Sequence, residues 1–313
     1  MSKTLLISLL SIQLSFAAVV NYSYDAAGRL TKIDYGSTGS ISYTYDKAGN
    51  LLARTVQGAS SGTGGTITSV NTAGAGSDIA QNDWIEIKGV GIAPANTPAT
   101  GVIWNDAPEF AAGKMPTQLK GVSVTVNGKP AYVYFYCSGT VAGSICAKDQ
   151  INVLTPLDPT EGTVQIVVNN GTTSSAPFSV NKKTLVPSFL LFSPPYVVAT
   201  HANNSLLGPT TLYPGLSTPA KAGEPVVLYT VGFGLVSTPL TDGSSSQSGS
   251  LQPLPVCKVG GNQAAIAFAG LIGPGLYQIN LTIPQGTPST DNDISCTANG
   301  ATTPAGDKIT VGQ

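Results

Sequence analysis

One imidazole, four thiols, a cluster of tyrosines and a short acidic run are the groups on this 313-residue chain most suited to chemistry. His201 stands in Ala-Thr-His-Ala-Asn-Asn, expected to be a polar loop, with neither a cysteine nor a Gly-x-Ser-x-Gly elbow near it. It lacks the nucleophile a catalytic imidazole would serve and reads as a surface histidine. A single histidine also excludes multi-histidine metal sites and most pairings of nucleophile with base. Thr290-Asp291-Asn292-Asp293 gathers oxygens suited to calcium, yet lacks the further spaced carboxylates of a dedicated loop and reads as a polar turn. The other acidic residues are too scattered to nominate the two carboxyls, about 5 to 9.5 Å apart, that a glycosidase uses. Gly232-Phe-Gly234 has two glycines of a dinucleotide loop, but no helix follows to supply donors and a dipole. No catalytic residue, cofactor or metal is expected, and the chain reads as a non-enzyme.

Tyr132, Tyr134 and Tyr136 alternate with Val133 and Phe135, so a regular strand would set three rings on one face. Such a row, if exposed, stacks on sugars and makes a polysaccharide a candidate partner. The competing reading is that the rings cover a neighbouring loop or module, since large aromatics bury much of their area. Leu185 to Phe192 forms the longest apolar run beyond the N-terminus and is expected at an interdomain contact.

The cysteines become legible through the N-terminus. Lys3 precedes an apolar run from Thr4 to Phe16, and small residues follow, with Ser15 and Ala17 where a signal peptidase reads. Residues 1–17 are expected to be a secretory signal, too short to span a bilayer, and no membrane insertion is expected after cleavage. In an oxidising compartment an even cysteine count favours pairing, with three connectivities open for four residues. Cys137 and Cys146 flank a Ser-Gly-Thr-Val-Ala-Gly-Ser-Ile tip, so a bridge there would close a hairpin end and leave Cys257 with Cys296.

The elements that carry these residues are short strands. Tyr22-Ser-Tyr24-Asp25-Ala-Ala-Gly28-Arg29-Leu30 recurs as Tyr43-Thr-Tyr45-Asp46-Lys-Ala-Gly49-Asn50-Leu51. In each copy alternating aromatics suit a strand, the Asp can accept turn amides and the Gly permits positive φ. Ala59 to Gly65 is a Gly/Ser linker. Beyond it Val122, Val124 and Val126 alternate with Ser123 and Thr125, then Asn127-Gly128 turns the chain. Val164, Ile166 and Val168 alternate likewise before Asn170-Gly171. About seven such strands specify a two-sheet sandwich. The pattern then repeats. Trp84 to Gly91 corresponds to Val227 to Gly234, Val126-Asn-Gly128 to Val259-Gly-Gly261, and Gln150-Ile-Asn to Gln278-Ile-Asn. This alignment sets Cys257 against Val124 and Cys296 against Val167, and supports pairing of those cysteines.

Composition sets the remaining limits. Only 10% of residues are charged against roughly 25% in ordinary soluble domains, and the net charge is -1. Such a chain has no positive field for a phosphate backbone, so nucleic acid is not an expected partner.

The Tyr-x-Tyr-Asp units resemble the YD repeats of RHS and teneurin-type proteins, whose arrays wind into β-sheet shells on exported polypeptides. Two copies are too few to imply a shell. The double module resembles a C-terminal tandem of acidobacterial secreted proteins, similar to IPT/TIG domains. The residues that carry this likeness are Met115 to Val124, the paired Gln-Ile-Asn motifs and Pro219 to Gly223. It implies export and β-sandwiches, and no activity.

The expected protein is all-β: a signal (1–17), a YD-repeat β segment (18–58), a linker (59–65) and two immunoglobulin-like β-sandwich modules (66–183 and 184–313). It is expected to be secreted or on the cell surface as an interaction, adhesion or assembly protein. The alternative is a carbohydrate-binding accessory. Two YD units give too small a sheet to stand alone, so the segment is expected to dock on the first sandwich or to pair with another molecule. The flexible linker favours self-association, with another surface protein as the other candidate partner.

Overall fold

The computed structural model of the chain describes residues 20–34, 39–58, 64–74 and 76–313. The expected signal and most of the expected linker lie outside them. Two compact units result, Met1–Gly62 and Thr63–Gln313.

In the first unit, β1 (Asn21–Tyr24), β2 (Leu30–Asp34), β3 (Gly39–Tyr45) and β4 (Leu51–Gly58) form one antiparallel sheet in chain order. The YD chemistry makes both hairpin turns. Asp25 Oδ1 accepts the amides of Ala27 and Arg29, each at 2.9 Å, while Asp46 Oδ1 accepts the Asn50 amide at 2.8 Å. Gly28 and Gly49 take φ of 75° and 92°, a region that costs a side chain but not glycine. Arg29 ties the copies together. Its Nε meets Asp25 at 2.7 Å, its NH1 donates to the Asp46 carbonyl at 3.1 Å, and the guanidinium sits 4.8 Å from the Tyr45 ring centre. Among the described residues of this unit the sheet has no second layer, and Tyr22, Tyr24, Leu51 and Leu52 are exposed at 57%, 60%, 54% and 67%.

The second unit holds two sandwiches. The strands of the first are β5 (Thr66–Thr72), β6 (Trp84–Val90), β7 (Val122–Val126), β8 (Tyr132–Cys137), β9 (Asp149–Leu154), β10 (Gly162–Asn170) and β11 (Phe178–Lys182). One sheet runs β5-β6-β9-β8 and the other β7-β10-β11, all antiparallel. Lettered A to G along the chain, these are ABED over CFG, the constant-type immunoglobulin arrangement. The alternating valines of β7 face β6 and β9 across the core: Val122, Val124, Val126, Ile85, Ile87 and Ile151 are all buried. Full burial of each such side chain stabilises by about 1.5–3 kcal/mol.

The second sandwich repeats the plan with β12 (Ala199–His201), β13 (Pro225–Val231), β14 (Val256–Val259), β15 (Ala265–Gly273), β16 (Leu276–Thr282), β17 (Asp291–Ala298) and β18 (Lys308–Gly312). Its sheets run β12-β13-β16-β15 and β14-β17-β18. The repeated Gln-Ile-Asn does the same work in both copies. Gln150 donates to Asn152 at 3.0 Å and Gln278 to Asn280 at 2.7 Å, with Ile151 and Ile279 buried between them on the other face. One aligned pair shifts. Cys257 pairs Cys296 in register as Val124 pairs Val168, so Val168, not Val167, is the counterpart of Cys296. A one-residue slip would have turned the thiol away from the core.

Candidate functional site

The tyrosine row does not survive folding. The register of β8 on β9 shifts between Val133 and Phe135, leaving Tyr134 as an extra, bulged residue. A bulge reverses the in-out parity of the residues beyond it. Tyr136, opposite Ile151, joins the first core at 3% exposure, whereas Tyr132, opposite Leu154, faces the second sandwich at 7%. Burial, reinforced by the hydrogen-bonded Asp242 carboxylate, raises the Tyr132 hydroxyl above its ordinary value. Tyr132 thus covers a neighbouring module, and Tyr134 alone of the three remains half-buried.

Tyr134 belongs to an aromatic cluster at the junction of the sandwiches. Trp84 lies 5.5 Å from Tyr134 and 5.7 Å from Trp104, edge to face, and Trp104 lies 5.1 Å from Tyr134 and 5.3 Å from Phe110. Edge-to-face pairs of this kind add about 0.5–1.5 kcal/mol each beyond the area they bury. The Pro274-Gly275 turn between β15 and β16 closes on them, with Trp84 Nε1 donating to the Pro274 carbonyl at 2.8 Å. Elsewhere along the seam Asn82 donates to Gln247 at 2.8 Å, the Met115 amide to Gly243 at 2.8 Å, and the Ser245 amide to Gly113 at 2.9 Å. Asp83 is fully buried beside this seam. Thr72 and the Ala80 amide bond its Oδ2, while Oδ1 has no partner. Burial, against those bonds, pushes its carboxyl up to about 7.

Between the sandwiches opens a cleft of about 890 Å³. Its floor on the first sandwich is set by register. Asn71 pairs Glu86, which pairs Asn152, so three polar side chains sit side by side on β5, β6 and β9, outside the core. Adjacent strands place them about 4.8 Å apart. Trp84 and Tyr134 bound the row, and Leu190, Leu191, Pro194 and Pro274 supply the facing apolar wall. The Leu185–Phe192 run is therefore divided. Phe189 enters the second core and pairs β13, while Leu190 and Leu191 line the junction.

The remaining candidates are structural. His201 ends β12 rather than riding a loop: Nδ1 meets Glu224 at 2.5 Å and Nε2 lies 3.1 Å from the Thr218 carbonyl. The acidic run opens β17 rather than forming a turn. Asp291 accepts from Tyr196 at 2.9 Å and from Thr310 at 2.6 Å, and Asp293 pairs Lys308 at 2.7 Å. Among the described residues no cluster suited to a metal occurs, and no helix is long and apolar enough to cross a membrane. Cys137 bridges Cys146 and Cys257 bridges Cys296, with Cα separations of 6.2 and 4.0 Å.

No curated protein sequence matches the chain. Solved structures with some likeness include the plexin A4 extracellular region, domains 1 to 8 (10% identity, TM-score 0.25, 79% of this chain and 18% of that one). The adhesin InvE of Yersinia pseudotuberculosis (9%, 0.19, 80% and 61%) and domains 5-6 of the S-layer protein SbsC (11%, 0.22, 80% and 99%) are others. The chain spans less than a fifth of the plexin region, and overlaps this loose carry no argument about function. The immunoglobulin-like plan rests on strand order. Residues 24–60 match the RHS repeat family, over the stretch where both Tyr-x-Tyr-Asp turns build the first unit.

Proposed function

We propose that this is an exported, non-enzymatic surface or extracellular protein that assembles through its N-terminal sheet. The observation that carries the reading is the four-stranded sheet, whose large apolar side chains lie exposed and whose edge strands, β1 and β4, each have one side unpaired among the described residues. A sheet of this size is marginal in water, and a free edge is a template for another strand. The repeat specifies which strand. β1 and β3 are equivalent, as are β2 and β4, and β2 pairs β3 through Lys32–Ser42, Ile33–Ile41 and Asp34–Ser40. The free edge of β4 is therefore the equivalent of an edge that already binds a β3-like strand, which in a second copy is β1. Such head-to-tail contacts are open-ended and give chains of molecules rather than a closed dimer. Two disulfides suit the oxidising environment that export implies.

Light scattering on the mature protein and on a chain starting at Thr66 tests the reading. Growth beyond a dimer with concentration, abolished in the shorter chain, is expected. Two monomers at high concentration would overturn it, and resistance of the segment to protease only within the intact monomer would replace assembly by internal docking.

A further inference from the structure

We infer that the cleft between the two sandwiches is a binding site for a neutral oligosaccharide. The inference is independent of assembly through the first unit, because every residue it uses lies in the second. Hydrogen-bonding capacity is left unspent on the cleft floor. Gln150 occupies Asn152 Oδ1, which leaves the Asn152 Nδ2 donors, and neither the Asn71 amide nor the Tyr134 hydroxyl has a protein partner among the described residues. Glu86 offers a carboxylate whose charge Lys88 balances at 2.7 Å. A row of amide, carboxylate and amide at strand spacing meets hydroxyls that both donate and accept, spaced about 5 Å apart along a sugar chain. Tyr134 and Trp84 supply ring surface for the apolar faces of the sugars.

An extended proline-rich peptide is the other natural occupant of an aromatic-lined groove. It fits less well. A proline-rich backbone has few N–H groups to donate to the Glu86 carboxylate at the centre of the floor, and the Trp84 indole N–H, which would meet a peptide carbonyl, is already committed to Pro274. The balanced Glu86–Lys88 pair leaves no net charge to select an acidic or basic ligand, so the saccharide is neutral.

Both tryptophans of the chain, Trp84 and Trp104, belong to the cluster at the cleft, so indole fluorescence reports occupancy directly. The full mature protein is titrated with β-1,4-linked hexasaccharides of glucose, xylose and N-acetylglucosamine, and with a proline-rich decapeptide. A saturable change with at least one saccharide and none with the peptide is expected. Tyr134→Ala and, separately, Asn71→Ala should each weaken it by roughly tenfold, the loss of one stacking or hydrogen-bonding contact. Lys258→Ala, remote from the cleft, should leave it unchanged. The side chain of half-buried Asn71 makes no hydrogen bond among the described residues, so its variant keeps the test open if Tyr134→Ala fails to fold. No response to any saccharide at millimolar concentration, a response unaffected by both cleft variants, or binding of the peptide instead would each overturn the assignment. Monomeric protein that still binds the saccharide would refute assembly and leave this site standing.

Discussion

Asp83 shows how one residue can make a whole junction sensitive to pH. Its carboxyl is fully buried with Oδ1 unpartnered, and burial outweighs the bonds from Thr72 and Ala80. The folded value of about 7 lies above the ordinary 3.8, so the native state holds a proton that the unfolded chain has released. This contribution to stability is complete below pH 4 and is lost as pH rises towards 7, by an amount bounded at about 4 kcal/mol. Asp307, raised by burial to about 6, acts in the same direction. Asp158 acts oppositely: burial opposes it, but bonds from Asn127, Lys129 and Thr160 hold it below the usual carboxylate range, so its contribution is lost only in acid. The groups facing Asp83 are Thr72, Thr155 through its bond to the Asp83 amide, and the Tyr277 hydroxyl, whose own ionisation is pushed up by burial and then by the Asp83 charge. Urea titrations should show the protein more stable at pH 5 than at pH 8, with the difference reduced in Asp83→Asn. Equal slopes in the variant and the parent would remove Asp83 from the account.

At the level of elements, the two Tyr-x-Tyr-Asp turns make a pair rather than two independent hairpins, because Arg29 spans from Asp25 to the Asp46 carbonyl. Replacing Arg29 by Met should speed hydrogen exchange at the Ala27 and Asn50 amides together and leave the sandwiches unaltered. Acceleration confined to the first turn would mean the copies are uncoupled. These turns were legible because Asp and Gly at fixed offsets have local effects, and the β7 valines because a period of two survives any register. Both disulfides were legible from hairpin spacing and the internal alignment. The tyrosine row failed for a related reason: a bulge at Tyr134 carries no Gly or Pro to announce it, and strict alternation cannot express a reversal of parity. The Val167–Val168 slip has the same origin, since matching motifs by type fixes an alignment only to within a residue. The cleft was invisible because Asn71, Glu86, Asn152 and Leu190 come from separate segments. The one trace in the sequence was the Gln-x-Asn motif, present twice although only Asn152, and not Asn280, lines the cleft.

Across the whole second unit, the two sandwiches have separate cores yet share a seam of aromatic packing and backbone bonds, so whether they unfold together is decided at that seam. The disulfides reinforce the halves unequally. Cys257–Cys296 closes 39 residues inside the second core, against 9 for Cys137–Cys146 at a tip of the first. In the chain-entropy model these are worth about 4 and about 3 kcal/mol. Reduction should therefore cost the second sandwich more, unless coupling through the seam shares the loss. Gly275 is the place to measure that coupling. Its φ is +63°, and an added Cβ would stand 2.3 Å from Leu154 Cδ1 and 3.0 Å from the Trp84 ring, both in the other sandwich. Gly261 provides the control, with φ +82° and nothing within 4 Å. Gly261→Ala carries the backbone cost alone, about 1–2 kcal/mol, and acts within one sandwich. Gly275→Ala carries a similar cost and also forces the turn off Trp84. Calorimetry should show one transition for the parent and for Gly261→Ala, shifted downwards in the latter, and two transitions for Gly275→Ala as the sandwiches melt separately. A single transition in Gly275→Ala, displaced no further than in Gly261→Ala, would show that the Pro274-Gly275 turn does not couple the two cores.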